Sequence, residues 1–200
     1  MEHLQMQTVV DFPSVNSALV ARPAEVIEMV TELGFVLPTE EEVEISREIA
    51  ARMIHPNIAQ AEQFMRVERH SGVGMLVYKE LGHVTGMMAM IMLNRHGHDA
   101  IRQGTFDPIE PDLDHLCKSN DPLVAGYGWG FAATTKLSGR SVVGAFDHVR
   151  RKLFSTIPIY TRAATEDGER IVKGFLGYED VPWEDDSGLI WLPGCQEQKK

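Results

Sequence analysis

Residues 84–93 form the most apolar stretch of the chain, and their number constrains what it folds into. A membrane-spanning helix needs about twenty apolar residues, so a run half that long reads as a buried strand. A buried strand requires a sheet around it and helices packed against the sheet. A second apolar run at 73–79 precedes it, and the Leu81-Gly82 dipeptide between the two reads as the turn of a β-hairpin.

The rest of the chain alternates between helical and extended periods. Pro23 opens a helix whose apolar residues Val26, Ile27, Val30 and Leu33 step by three and four, and Gly34 stops it. Thr39 with Glu42 three residues on predicts a capping box ahead of a second helix, carried by Val43, Ile49 and Met53 and closed by Pro56. A third, less periodic helix is expected around 58–67. Beyond the hairpin, residues 94–122 are polar, rich in Asp and Pro, and read as an irregular insertion. Residues 124–133 read as a strand. Residues 141–154, with Val142, Phe146, Val149 and Leu153 on one face, read as a helix. A short strand at 157–161, a helix capped by Thr165 and stopped by Gly177, and a terminal strand at 188–192 complete the order. Residues 1–20 are weakly patterned and read as a loosely ordered start. The prediction is one α/β domain over residues 1–200, built on a mixed sheet.

Composition excludes several classes. Apolar residues at 44% and charged residues at 24% rule out wholesale disorder and collagen-like repeats. The two cysteines, Cys117 and Cys195, lie far apart, and the first residues lack a basic start and a long apolar run. A reduced, cytosolic protein is expected. A net charge of −10 argues against sequence-independent nucleic-acid binding, and no run is long enough for a membrane span.

The charge is uneven. Residues 1–70 carry a net −7 and residues 163–200 a net −5, whereas residues 136–162 carry a net +5 through Lys136, Arg140, Arg150, Arg151, Lys152 and Arg162 against Asp147 alone. A basic island in an acidic chain points to an anionic ligand, or to cations that complement the C-terminal end of a helix. The island opens on Lys136-Leu-Ser-Gly139-Arg-Ser141, between a strand and a helix. A helix N-terminus offers unpaired N–H groups to a phosphate, and Gly139 lets the backbone come close. The order is not that of a P-loop, and the glycines of Gly126-Tyr-Gly128-Trp-Gly130 lie within the strand rather than at the turn, unlike a dinucleotide fingerprint.

At these residues the chain resembles the GNAT superfamily, the acetyl-CoA-dependent N-acyltransferases. That family's signature is a strand, then R/Q-x-x-G-x-G/A, then a helix whose N-terminus holds the CoA pyrophosphate. Lys136, Gly139 and Ser141 stand at the corresponding positions, with Lys in place of Arg or Gln and Ser in place of Gly or Ala. Leu176-Gly177-Tyr178-Glu179 resembles the family's L-G-F-E. The resemblance implies a GNAT-like, mostly antiparallel central sheet flanked by helices. It also implies that the backbone around Trp129, Phe131 and Ala132 pairs with the pantetheine arm of acetyl-CoA, the co-substrate. Lys136, Leu137, Ser138, Gly139, Arg140 and Ser141 would cradle the pyrophosphate. Lys173 occupies the position at which many members carry the tyrosine that protonates the departing thiolate. Homodimers are common among the proteins it resembles.

The amine acceptor needs a group to take its proton, and the candidates are Glu110, Asp112, Asp114 and His115, with Asp114 and His115 chosen as the expected pair. Cys117 is read as buried, since no His–Asp arrangement accompanies it. His96 and His98, two apart at a strand end, lack the second spaced pair of a metal motif, so no metal is expected. The methionine run at 87–92 reads as core strand. The expected activity is acyl transfer from a CoA thioester to an amine of a small molecule or protein. The alternative is a non-catalytic GNAT-like module that binds CoA or a protein partner.

Overall fold

The computed structural model describes residues 19–195. The loosely ordered start expected at 1–20 lies outside the described residues except for its last two positions, of which Val20 bridges to Pro122.

Helix α1 (Pro23–Thr31) starts on the fixed φ of Pro23 and buries Val26 and Val30. The two-residue strand β1 (Phe35–Val36) follows, after Gly34 turns the chain at a φ of 87°. Helix α2 (Glu40–Met53) has the expected capping box: Thr39 Oγ1 accepts from the Glu42 N–H at 3.3 Å, and the Glu42 carboxylate accepts from the Thr39 N–H at 3.0 Å. Helix α3 (Ala61–Ser71) runs a few residues later than expected and ends on Gly72 in the left-handed region. Strands β2 (Met75–Glu80) and β3 (His83–Leu93) form the expected hairpin. Leu81 and Gly82 both take positive φ, as a two-residue turn between twisted strands requires, and the Leu81 side chain stands in solvent.

The segment 94–122 is not irregular throughout. It holds helix α4 (Arg95–Arg102) and a 3-10 turn (Leu113–His115). Asn94 Oδ1 caps α4 by accepting from the Gly97 N–H at 3.1 Å. A Cβ on Gly97 would run into the His115 carbonyl, so only glycine lets the 3-10 turn close onto the helix. Ala100 and Ile101 are the only apolar side chains α4 buries, too few to show a helical period.

Strand β4 (Ala125–Ala133) leads into helix α5 (Lys136–Leu153), which begins five residues before the expected start at Ser141. Its capping box is Thr135 with Ser138: Thr135 Oγ1 accepts from the Ser138 N–H at 3.0 Å, and Ser138 Oγ accepts from the Thr135 N–H at 3.3 Å. Serine stands where Glu or Gln is usual, which hides the signature. Residues 136–141 are therefore the opening turns of a helix and not a loop. Strand β5 (Ile159–Arg162), helix α6 (Glu166–Gly174) and strands β6 (Glu179–Asp180) and β7 (Leu189–Leu192) complete the chain.

The seven strands of the described residues lie in the order β1-β2-β3-β4-β5-β7-β6, antiparallel except for the pair β4–β5. Core side chains from α1, α5 and α6 cover one face of the sheet, and those from α2, α3 and α4 cover the other. Along β3, Met88, Met90 and Met92 pack toward the first group and Met87 and Ala89 toward the second, following the two-residue period of a strand. The fold class is α/β, a mixed and mostly antiparallel sheet flanked by helices, as expected. No helix among the described residues is long and apolar enough to cross a membrane.

Candidate functional site

The one parallel pair comes apart almost as soon as it forms. Strand β5 pairs with β4 at Gly126 and Tyr127 alone. Past that point Thr161 Oγ1 donates to the Gly128 carbonyl at 2.8 Å, and the edge of β4 that faces β5 has no further strand partner among the described residues. Strand β4 also bulges: Gly128 and Gly130 oppose the adjacent residues Met90 and Ala89, leaving Trp129 unpaired in the register with β3. The extra residue resets the alternation of side chains. Trp129 packs on Phe64 of α3 with ring centroids 4.2 Å apart, whereas Phe131 turns to the opposite face and meets Phe146 of α5 at 4.5 Å.

A cavity of about 460 Å³ fills the gap between the strands, within the size range of small-molecule sites. Its lining belongs to both cores. Phe131, Val142 and Phe146 line it on the α5 face, and Ala50, Ile54, Phe64 and Met87 line it on the α2/α3 face. The polar side chains of the lining are His55, Asn57, Tyr127, Thr135, Thr161, Arg162 and Thr165. None of the described residues lining it is a carboxylate.

Of the residues expected to hold the co-substrate, Trp129, Phe131, Ala132 and Gly139 line the cavity. Lys136, Leu137, Arg140 and Ser141 sit on the opening turns of α5 outside that lining, and Ser138 is buried against the sheet, its hydroxyl donating to the Thr85 carbonyl at 2.9 Å. A Cβ placed on Gly139 would meet only Ala133, at 3.7 Å, so the protein leaves open the space beside this glycine. The capping box takes the N–H groups of Thr135 and Ser138, while those of Lys136 and Leu137 have no acceptor among the described residues. The Glu80 carboxylate also reaches this helix end, accepting from Thr135 Oγ1 at 2.7 Å.

The basic island is not one patch. Arg150, Arg151 and Lys152 occupy the last turn of α5, and Arg150 and Arg151 pair with Asp147 at 2.6 and 2.8 Å. At a rise of about 1.5 Å per residue, these cations stand roughly 21 to 24 Å along the helix from Lys136 and roughly 15 to 18 Å from Arg140. Arg162 of β5 is the one member of the island in the cavity lining, and its Nε donates to Ser187 Oγ at 3.2 Å. Burial pushes the Tyr127 hydroxyl above its ordinary value, and the neighbouring Arg162 partly opposes that rise.

The expected proton-transfer residues lie elsewhere. Asp114 and His115 form the 3-10 turn and are not in the cavity lining; Asn94 Nδ2 donates to the Asp114 carbonyl at 2.9 Å, and the Asn94 N–H donates to the His115 carbonyl at 3.1 Å. Lys173 Nζ is held at 2.8 Å by Asp180 and at 3.0 Å by Glu169, also away from the lining. Burial, with Asp121 adding to it, pushes the Cys117 thiol up to about 12, so it stays protonated. His96 and His98 lie on helix α4 rather than at a strand end, and two residues apart on a helix they point to different sides. His96 is exposed, whereas His98 is buried with its Nε2 3.0 Å from the Tyr160 hydroxyl. Among the described residues no three His, Cys, Asp or Glu side chains gather as a metal site.

Sequence reasoning missed the far wall. His55 and Asn57, in the connection after α2, and Arg162 and Thr165, after the splay of β5, all line the cavity. Arg162 belongs to the basic island and Thr165 caps a helix, but no local pattern places them or His55 and Asn57 at one site, because tertiary packing brings them together. No family model matches this chain, and no curated protein matches it. The geometry of the parted strands and the residues at its two ends therefore carry the functional reading.

Proposed function

We propose that the cavity binds a CoA thioester and that the protein transfers its acyl group to an amine. The parting of β4 from β5 over the N-terminus of α5 carries this reading. It leaves a free edge of β4 backbone, suited to pairing with an extended amide-bearing arm, next to a helix end with unpaired N–H groups suited to a phosphate. The resemblance of Lys136, Gly139 and Ser141 to the acyltransferase signature agrees with that arrangement. In direct transfer the amine nitrogen attacks the thioester carbonyl carbon, the C–S bond breaks, and the CoA thiolate leaves. Backbone N–H groups on the free edge of β4 would stabilise the oxygen that becomes negative, and the amine's proton passes to water or to the departing sulfur. Thr161 Oγ1, on the Gly128 carbonyl, supplies a hydroxyl where the strands part.

The absence of a carboxylate in the described lining favours a second reading, a module that binds the thioester without turning it over. His55 does not supply the missing base through Nδ1, which already accepts from the Asn57 N–H at 3.0 Å.

The two readings share a first test. Titrating the protein with CoA and acetyl-CoA should raise the melting temperature saturably, by about 5 to 10 °C at a hundredfold excess over the dissociation constant. A flat response at millimolar ligand would refute both. Release of free thiol on adding a panel of amines would then separate the enzyme from the module.

A further inference from the structure

The two ends of the cavity differ in chemistry, and the end on the α2/α3 face has no role in holding a phosphate. Ala50, Ile54, Ile58, Phe64, Met87 and Trp129 surround it, and they belong to the apolar core on that face. No carboxylate stands among the described lining residues to receive a cationic amine. A polycationic acceptor would have to leave water for a largely apolar wall whose polar side chains, His55 and Asn57, bring no negative charge to offset the cost. Gly130 opens this end. It lies on β4 outside the left-handed region, and a Cβ on it would meet nothing closer than the Met87 methyl at 3.9 Å and Ile54 Cδ1 at 4.0 Å. The backbone there does not require glycine, and a Cβ would make only ordinary contacts, yet the protein leaves the space unfilled.

We infer that the α2/α3 end of the cavity takes an uncharged apolar group of the substrate, either an acyl chain longer than acetyl or the hydrocarbon body of the amine. The inference rests on the thioester reading and narrows its substrate class. An acyl chain entering between the strands would run from the free edge of β4 past Gly130 toward Met87 and Ile54. Apolar surface leaving water drives that entry, and the chain length that fills the space sets the optimum.

The full-length protein and its Gly130→Val variant should be titrated by calorimetry with CoA and with acetyl-, butyryl-, hexanoyl- and octanoyl-CoA. Affinity of the parent should climb with chain length, by up to roughly fourfold per buried methylene, until the space is full. Gly130→Val should flatten that climb, so that each acyl-CoA binds the variant with an affinity close to that of CoA for the same variant. Where the valine variant does not fold, Gly130→Ala serves, and it should shift the optimum to a shorter chain. The second source is tested with CoA present: hexylamine and phenethylamine against spermidine. A flat acyl series with apolar amines that bind the parent and not Gly130→Val assigns the space to the acceptor. A flat acyl series with spermidine preferred, or with no amine affected by the variant, overturns the inference while the thioester reading stands. Failure of CoA itself to bind would remove that reading and the inference with it.

Discussion

The two faces of the central sheet treat the same cavity differently. On the α5 face it ends beside a helix N-terminus, where the N–H groups of Lys136 and Leu137 find no acceptor among the described residues and a glycine, Gly139, leaves room by its missing side chain. On the α2/α3 face it ends among methyls and rings, beside a second such glycine, Gly130. The bulge at Trp129 produces this division, because it sends Trp129 and Phe131 to opposite faces of one strand. Without it, residues 129 and 131 would share a face by the two-residue period, and one side of the gap would lack its aromatic wall. A molecule with an anionic end and an apolar end can therefore lie through the sheet, each end in its own solvent.

The largest expected effect falls on the α5 face. Gly139→Glu puts a carboxylate into the open space near the first turn of α5, where a phosphate would also stand. Like charges in that space should weaken CoA binding by at least about a hundredfold. The position tolerates a side chain, since a Cβ there meets only Ala133 at 3.7 Å, so the circular dichroism spectrum should not change. Equal CoA affinity in parent and variant, measured by calorimetry, would detach the phosphate from this helix end.

Much of this layout was legible in the sequence, and the unread parts share a physical cause. The capping box of α2 and the hairpin at Leu81-Gly82 follow from local rules and stand as expected, whereas helix α4 and the two-residue strands β1 and β6 carry too little local pattern to be seen. The apolar period places the start of α5 at Ser141, because glycine at 139 favours a turn and Ser138 in place of Glu or Gln disguises the box with Thr135. That shift moved Lys136, Leu137, Ser138, Arg140 and Ser141 onto helical turns, away from the cavity wall that Trp129, Phe131, Ala132 and Gly139 do line. Asp114 and His115 are titratable residues in the segment that leads into β4, yet Asn94 and Gly97 fasten their turn to α4. His55 and Asn57 face β4 only through tertiary packing, which no window of sequence contains.

A smaller and opposite effect is expected from Glu80→Gln. The Glu80 carboxylate accepts from Thr135 Oγ1 at 2.7 Å, at the helix end proposed to meet a phosphate. A negative charge at a helix N-terminus stabilises the free protein by about 0.3 to 1 kcal/mol, and it repels a second anion brought to the same place. Glutamine keeps the acceptor oxygen and removes the charge. The variant should melt slightly lower without ligand and bind CoA up to about fivefold tighter, most visibly at low ionic strength. Unchanged affinity at low salt would place the phosphate away from α5 and leave the apolar face as the firmer half of the site.

The smallest expected effect is at Lys173, where the resemblance put the acid that protonates the thiolate. Hydrogen bonds to Asp180 and then to Glu169 raise its pKa above the ordinary lysine value of 10.5. The sign is wrong for the role, because a general acid works best with a pKa near the working pH, and this lysine is held more firmly protonated. A raised folded-state pKa gives stability that is present below the ordinary value and lost only as pH climbs through the folded one, so nothing at Lys173 titrates between pH 6 and 8. Lys173→Met should therefore move the melting temperature by no more than about 2 °C, as expected for an exposed ion pair, and leave its pH dependence over that interval unaltered. Thioester turnover, if the protein is an enzyme, should stay within about twofold of the parent. A loss of a hundredfold or more in turnover with CoA affinity unchanged would put the lysine back among the catalytic groups. It would also mean that α6 swings Lys173 off Asp180 and Glu169 when the cavity fills, giving the α5/α6 face the chemistry as well as the phosphate.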